Sequence, residues 1–292
     1  MASSFKILTD NGSDLPSEFL EKYDIAQICL STMLNGETIN GQDRKLPAEE
    51  FYKLLSKGAR PTTSQVNPEQ AEEFLEAHRD DADEFLYVGL SSGLSGTVGS
   101  MKIGAEAFMK HHPEKKVEIV DSLGGSIGEG LVVYYAAKYR AEGKSLEETA
   151  ETLRYIASHV HHSITVDNLF DLWRGGRVSR SSAIIGSIAS IKPFIEVNKD
   201  GRLDVTKKIL GRKKSLNFLV DFMEERSKGF EAYNREMVMI AHGNCPEDAA
   251  YVAEQIGKRL GCHHILTANV GPMIGTHTGG SIVVVSFIGS ER

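Results

Sequence analysis

The stretch KPFIEVNKDGRLDVTKKI, residues 192–209, decides how this chain is divided. It sets Asp200-Gly201 between two strand-like runs, which is the signal of a β-hairpin. A hairpin pairs its strands antiparallel, so the sheet that holds it is not purely parallel. Upstream the rhythm differs: FKILTD (5–10), FLYVGL (85–90) and VEIVDS (117–122) alternate with helical patterns, and that alternation reads as α/β with a parallel sheet. MVMIAH (237–242) and HHILTANV (263–270) supply further strands after the hairpin. The expected fold is therefore α/β in two domains. Residues 1–160 form a three-layer α/β/α domain with a parallel sheet, and residues 161–292 an α+β domain with a mixed sheet. No Pro- or Ser-rich linker marks the junction, so the halves should pack closely.

Two helix starts are written into side chains. Ser145 with Glu148 forms a capping box ahead of Leu146, Leu153, Ile156 and Val160 at helical spacing. Asn67 precedes Pro68 and Gln70, which places proline in the first helical turn.

Composition narrows the function. The 292 residues carry a formal charge of −7, with a pI near 5.8, which argues against nucleic acid as a partner because that needs a concentrated basic face. The one basic run, KKILGRKKSL (207–216), reads as a solvated helix start. Cys29, Cys245 and Cys262 are odd in number and far apart, which suggests neither a disulfide framework nor a thiolate metal site. The paired histidines 111–112, 161–162 and 263–264 lack metal-ligand spacing, and no metal is assigned. No apolar run reaches membrane-span length and the N-terminus lacks a signal-peptide core, so a cytoplasmic protein without stable membrane insertion is expected.

Four segments concentrate glycine, serine and threonine where strands end: TDNGSDLP (9–16), RPTTSQVNP (60–68), GLSSGLSGT (89–97) and GPMIGTHTGG (271–280). Loops beyond the carboxyl ends of parallel strands are where open α/β sheets bind ligands. In GLSSGLSGT the chain passes Ser91 and Ser92, and a helix from about Gly96 turns its unpaired N–H groups back on the loop, an arrangement that attracts an anion. Thr62, Thr63 and Ser64 offer three hydroxyls that can donate without carrying charge. His277, in what reads as a glycine-rich loop, can donate to a carboxylate, act as a base or bridge backbone. Gly89-Leu90-Ser91-Ser92-Gly93 also fits a nucleophile elbow, and Asp204 or Asp221 with His277 would complete a hydrolase order. In LFDLWRGGRVSRSSAIIGSIASIKPF (169–194) two glycines break a short helix between Arg174 and Arg177, and Ser179 or Ser181 can cap the apolar helix that follows. Trp173 beside these arginines offers either a partner surface or an intradomain Arg–Trp stack.

Taken in order, TDNGSDLP, RPTTSQ, LSSGLSGT, VDSLGGSIGEG, WRGGRVS, IKPFIEV and GPMIGTHTG resemble the DegV family of bacterial fatty-acid-binding proteins over essentially the whole chain. Asn11-Gly12 stands where the family more often has a small hydroxyl residue and alanine, and the second loop glycine lacks the usual following proline. The resemblance implies one long-chain fatty acid between the two domains. Its ligand residues here are Thr62, Thr63, Ser64, Ser92, Gly93, Ser95, Gly96, Thr276 and His277. It implies no cofactor and no catalytic residue. A separate fatty acid kinase would phosphorylate the presented carboxylate for phospholipid synthesis, with Trp173, Arg174 and Arg177 facing it. Two other classes remain open: a serine hydrolase built on Ser91, and an enzyme of phosphorylated trioses using the same glycine-rich loops.

Overall fold

The computed structural model describes residues 5–179 and 190–292. Thirteen strands appear among them: β1 (Lys6–Asp10), β2 (Ile25–Ile28), β3 (Ser31–Leu34), β4 (Glu37–Asn40), β5 (Thr62–Ser64), β6 (Glu84–Gly89), β7 (Lys116–Asp121), β8 (Val160–Thr165), β9 (Ile191–Val197), β10 (Leu203–Leu210), β11 (Val238–His242), β12 (Ile265–Asn269) and β13 (Val283–Ile288). They make a four-stranded sheet β2-β1-β6-β7, a six-stranded sheet β10-β9-β8-β13-β11-β12 and a small sheet β4-β3-β5. The first is parallel throughout. The second is antiparallel except for β11 with β12. The hairpin of residues 192–209 is β9–β10. Its turn is closed by Gly201 at φ +70°, and Asn198 Oδ1 accepts from the amides of Asp200 and Arg202.

Successive side chains of a strand point to opposite faces, and in the parallel sheet both faces are apolar. Leu8, Phe85 and Tyr87 pack on one side with Phe74, Leu75, Met101 and Phe108, from helices Pro68–Ala77 and Thr97–His111. Ile7, Leu86 and Val88 pack on the other with Leu131, Val132 and Leu153, from helices Ile127–Ala141 and Leu146–His159. That second face does not end at the helices. Ile164, Ile195, Met239 and Val284 of the mixed sheet join the same cluster, so helix Ile127–Ala141 lies between two sheets. A helix buried on most sides must be apolar on most sides, and Glu129 is the charged-type exception. Leu131, Val132 and Val133 are fully buried and contribute about 1.5–3 kcal/mol each. The far face of the mixed sheet is covered through Leu216, Leu219, Val252 and Ile256, on helices Arg212–Arg226 and Pro246–Leu260.

Both expected caps are present: Ser145 and Asn67 each accept from the third helical amide, and Glu148 and Gln70 reach back. The basic run is not a helix start alone. Its first half is the outer strand β10, and the helix begins at Arg212 after Gly211 turns at φ +88°. The helix expected after Ser179 or Ser181 lies outside the described residues. Among the described residues no helix is long and apolar enough to cross a membrane, and no group of three histidine, cysteine or acidic side chains could hold a metal ion.

Candidate functional site

The segment GPMIGTHTGG is a helix and not a loop. Gly271 enters it extended, Pro272 occupies its first turn, and Gly279 at φ +72° ends it after Thr278. Glycine content signals a loop, whereas proline at the start and a left-handed glycine past the end are helix punctuation. Asp14 fixes its entry: Oδ1 accepts from the Gly271 amide at 2.8 Å and Oδ2 from Ser126 Oγ at 2.5 Å. Removal from water pushes the Asp14 carboxyl up to about 7. Thr276, on the buried side of this helix, gives its hydroxyl to the Pro272 carbonyl. His277 faces β5 instead.

β5 is only three residues long, and it survives because β3 pairs with it antiparallel, Thr32 opposite Thr63. Alternation turns Thr62 outward to solvent and Thr63 inward. There Thr63 Oγ1 meets His277 Nε2 at 2.8 Å. Burial, reinforced by Arg177 and Arg174, pushes His277 down to about 4, so the imidazole is neutral at pH 7. Its Nδ1 has no hydrogen-bond partner. A Cβ at Gly175 would stand 2.1 Å from that atom, which shows how closely the RGGR turn is laid against the ring.

Both arginines of that turn point inward. Arg174 donates to the carbonyls of Pro61 and Thr276, each at 3.0 Å, and so ties β5 to the helix Pro272–Thr278. Arg177 donates through Nε and Nη2 to the Leu94 carbonyl and lines a cavity. The expectation that Arg177 faces a partner meets a guanidinium half-buried in that wall, because Gly176 at φ +74° folds the chain back beneath Leu94. Trp173 is 39% exposed and packs on Phe170, not on an arginine; Arg60 lies over the Phe170 ring.

The cavity, of about 350 Å³, opens between the parallel and mixed sheets. Its wall is mainly aliphatic: Leu90 and Leu94 from one sheet's loop, Ile164, Ile195, Val197, Leu203 and Val284 from the other sheet, Met273 and Ile274 from the helix. The polar side chains include Thr63, Ser64, Gln65, Ser95, Arg177 and His277. Of the nine expected ligand residues, the structure brings Thr63, Ser64, Ser95 and His277 to this wall and leaves five out. Thr62 and Ser92 are exposed, and the Ser92 amide is spent on Asp121. Gly93 accommodates the hairpin tip, where a Cβ would be 2.5 Å from the Asp200 carbonyl oxygen. Gly96 gives its amide to Gln65 Oε1 at 3.0 Å. Thr276 is back-bonded to its own helix.

The hydrolase arrangement is not assembled. Ser91 is fully buried, with Oγ donating to the Gly201 carbonyl at 2.8 Å. Asp204 accepts from Asn198, Asp221 pairs with Arg259, and His277 is bonded to Thr63. A serine without a base beside it is not activated. A fluorophosphonate probe should therefore leave Ser91 unlabelled, as read by intact mass. An aliphatic cavity wall is equally unsuited to a phosphorylated triose, which needs donors on every side.

Fold and cavity define a two-sheet α/β protein built around a partly open, mainly apolar pocket with hydroxyls, an arginine and a neutral imidazole in its wall. Residues 4–290 match the family model described as "Uncharacterised protein, DegV family", and the chain belongs to the DegV family. It is 38% identical over 289 residues to a DegV domain-containing protein of Clostridium perfringens, covering 99% of this chain and 98% of that one. Among solved structures it is similar to the protein of "Fatty Acid Binding of a DegV family Protein from Thermus thermophilus", with TM-score 0.84, 25% identity, and 98% and 99% of the two chains covered. It is also similar to "DegV, a fatty acid binding protein from Bacillus subtilis", with TM-score 0.83, 26% identity, and 99% and 100% covered.

Proposed function

We propose that this chain binds one long-chain fatty acid between residues 1–160 and residues 161–292 and presents it to a partner. The observation that carries this reading is the aliphatic cavity of about 350 Å³ whose wall includes the Thr63–His277 contact and Arg177. Each buried methylene contributes about 0.8 kcal/mol, so a long acyl chain supplies on the order of 10 kcal/mol before ordering costs. The tail gives affinity and the head gives orientation. Because His277 is held neutral, the positive charge facing a carboxylate is that of Arg177, with Thr63, Ser95 and His277 as hydrogen-bonding neighbours. Relatives described as fatty-acid-binding support the ligand class.

Native mass spectrometry of the purified protein, followed by denaturation, should release a long-chain fatty acid at about one per chain. Thr63→Val, Arg177→Gln and His277→Ala should each weaken fatty-acid affinity by about tenfold or more, the scale of losing a hydrogen bond to a charged group. Unchanged affinity in all three would remove the assigned head site. The pH dependence has a definite shape as well. His277 starts from an ordinary 6.5 and is lowered to about 4, so its charge does not change between pH 5.5 and 8, and affinity should not step at pH 6.5.

The receiving partner in this reading is a fatty acid kinase in a bacterial cytoplasm, which converts the carboxylate to an acyl phosphate for phospholipid synthesis. Trp173, just before the RGGR turn and with Phe170 beside it, is an exposed aromatic of this segment and the surface on which the kinase would bear. Trp173→Ala should bind lipid normally and support lower kinase turnover; full turnover would remove that contact.

A further inference from the structure

The helix Pro272–Thr278 that carries His277 cannot place itself. It is seven residues long, and Gly271 at its N-cap makes no side-chain capping bond, while helices of this length are marginal on their own. Its direction has to come from outside, beginning at the peptide through which the chain enters it, Val270–Gly271. Both polar groups of that one peptide are held by side chains from elsewhere in the chain. Tyr52 Oη donates to the Val270 carbonyl at 2.9 Å, and Asp14 Oδ1 accepts from the Gly271 amide at 2.8 Å. Arg174 ties the far end through the Thr276 carbonyl.

The two clamping side chains are themselves fixed. The second oxygen of Asp14 takes the Ser126 hydroxyl at 2.5 Å, so the carboxylate is held at both ends. Tyr52 is 4% exposed and lies on helix Ala48–Ser56, which rests directly on the His277 helix. A Cβ at Gly275 would stand 2.7 Å from Phe51 Cε1 and 2.8 Å from Tyr52 Oη. Neither Asp14 nor Tyr52 belongs to the cavity wall, so neither touches a bound acid. What they fix is a peptide plane, and a rigid plane sets the direction of the helix that leaves it. At the other end of that helix His277 Nε2 meets Thr63 Oγ1 at 2.8 Å. A hydrogen bond weakens steeply as its distance and angle depart from the optimum, so a tilt at Gly271 is felt at His277.

Resting on the fatty-acid reading above, we propose that Asp14 and Tyr52 are positioning residues of the head-group site. By clamping the Val270–Gly271 peptide they aim the helix that carries His277, and with it the preference for a carboxylate head over a neutral one. They act through His277 and Thr63 and make no contact with the ligand. Because both work on the same peptide, their effects are coupled.

The test uses the full chain, stripped of bound lipid, with octadecanoic acid and octadecan-1-ol compared by competition binding. The unsubstituted protein should favour the acid, since only the acid offers a carboxylate to Arg177, Thr63 and His277. Tyr52→Phe removes one hydroxyl and keeps the ring in place. Asp14→Gly removes the carboxyl at a φ of +51°, which glycine accepts without strain. Each should weaken acid binding by about tenfold, the scale of one hydrogen bond to a charged group, and leave alcohol binding unchanged. The double variant should lose less than the sum of the two. Asp14→Asn can still accept from Gly271 and can donate to Ser126 Oγ, so it should keep the preference for the acid. Unchanged acid affinity in both single variants would overturn the proposal. So would an equal fall for acid and alcohol, which is what a loosened fold produces, or fully additive losses, or an Asp14→Asn protein that behaves as Asp14→Gly does. Octadecanoic acid held by the unsubstituted protein in those outcomes would leave the fatty-acid reading standing, whereas failure to bind either ligand would overturn both.

Discussion

Glu129→Gln should make the protein more stable than its parent by an amount that grows with pH. Glu129 sits on helix Ile127–Ala141 between the two sheets and is fully buried. Its Oε1 accepts from Thr9 Oγ1 at 3.1 Å, while Oε2 has no partner. Burial, with Asp10 and Asp14 adding repulsion, raises its carboxyl well above the ordinary 4.5. Burial raises Asp10 as well, but Asp10 accepts from Tyr87, Leu90 and Gly12, so Glu129, with Oε2 unpartnered, is the carboxyl expected to hold the proton. A raised folded pKa means that the unfolded chain releases this proton first as pH rises. The contribution is therefore complete below pH 4.5 and is lost above it, at about 1.4 kcal/mol per pH unit until the folded pKa is reached. Glutamine keeps the shape and the acceptor for Thr9 and has no proton to lose. Urea unfolding of both proteins from pH 5 upward should give stabilities whose difference grows with pH until the folded pKa is reached; a constant difference from pH 5 on would show that Glu129 is ionised in the folded state. Asp14, raised from 3.8 to about 7, adds a slope of the same sign to both proteins and cancels in the comparison.

The parts of the fold that could be read from sequence are those whose cause is local. Asp200-Gly201 forces a hairpin wherever it stands, and the capping boxes at Ser145 and Asn67 need only residues three apart. The strands IAQI and VHHSIT are not legible, since the first is short and the second has one wholly polar face, His161, Ser163 and Thr165, and a histidine on the other. The polar face of HHSIT is explained only by what packs there: His161 Nε2 reaches the Ser290 carbonyl, and Ser163 donates to the Leu219 carbonyl. Residues 62–64 read as loop hydroxyls because three residues carry no periodicity; β3 makes them a strand. For the site, motif order located Thr63, Ser95 and His277, whereas the aliphatic wall is assembled from strands far apart in the chain and has no motif. Arg177 is visible as a residue but not as a direction, since the turn at Gly176 has to meet the distant Leu94 carbonyl before the guanidinium is held inward.

Gly128→Ala should cost stability and ligand binding together, and removing His162 as well should restore both. Alanine in place of glycine within a helix is favourable by about 1 kcal/mol on intrinsic propensity alone. At Gly128 that gain meets a contact no side chain can tolerate, because the added Cβ would stand 1.8 Å from His162 Nε2 and 2.5 Å from Cδ2. The imidazole cannot withdraw past Gly124, whose own Cβ position is 2.5 Å from Cε1. The helix cannot shift without disturbing Leu131 and Val132, which pack between the sheets. The ring's free direction is into the cavity it lines. Overpacking of a filled core costs about 1–3 kcal/mol, enough to outweigh the propensity gain, and an imidazole displaced into the cavity takes volume from the bound tail. Thermal unfolding should show a lower Tm for Gly128→Ala, and fatty-acid titration a weaker affinity. In the double variant Gly128→Ala/His162→Ala the clash is gone and the helix keeps its alanine, so Tm should rise above that of Gly128→Ala and octadecanoic acid binding should return. If Gly128→Ala alone left both measurements unchanged, the close seating of His162 against this helix would be wrong.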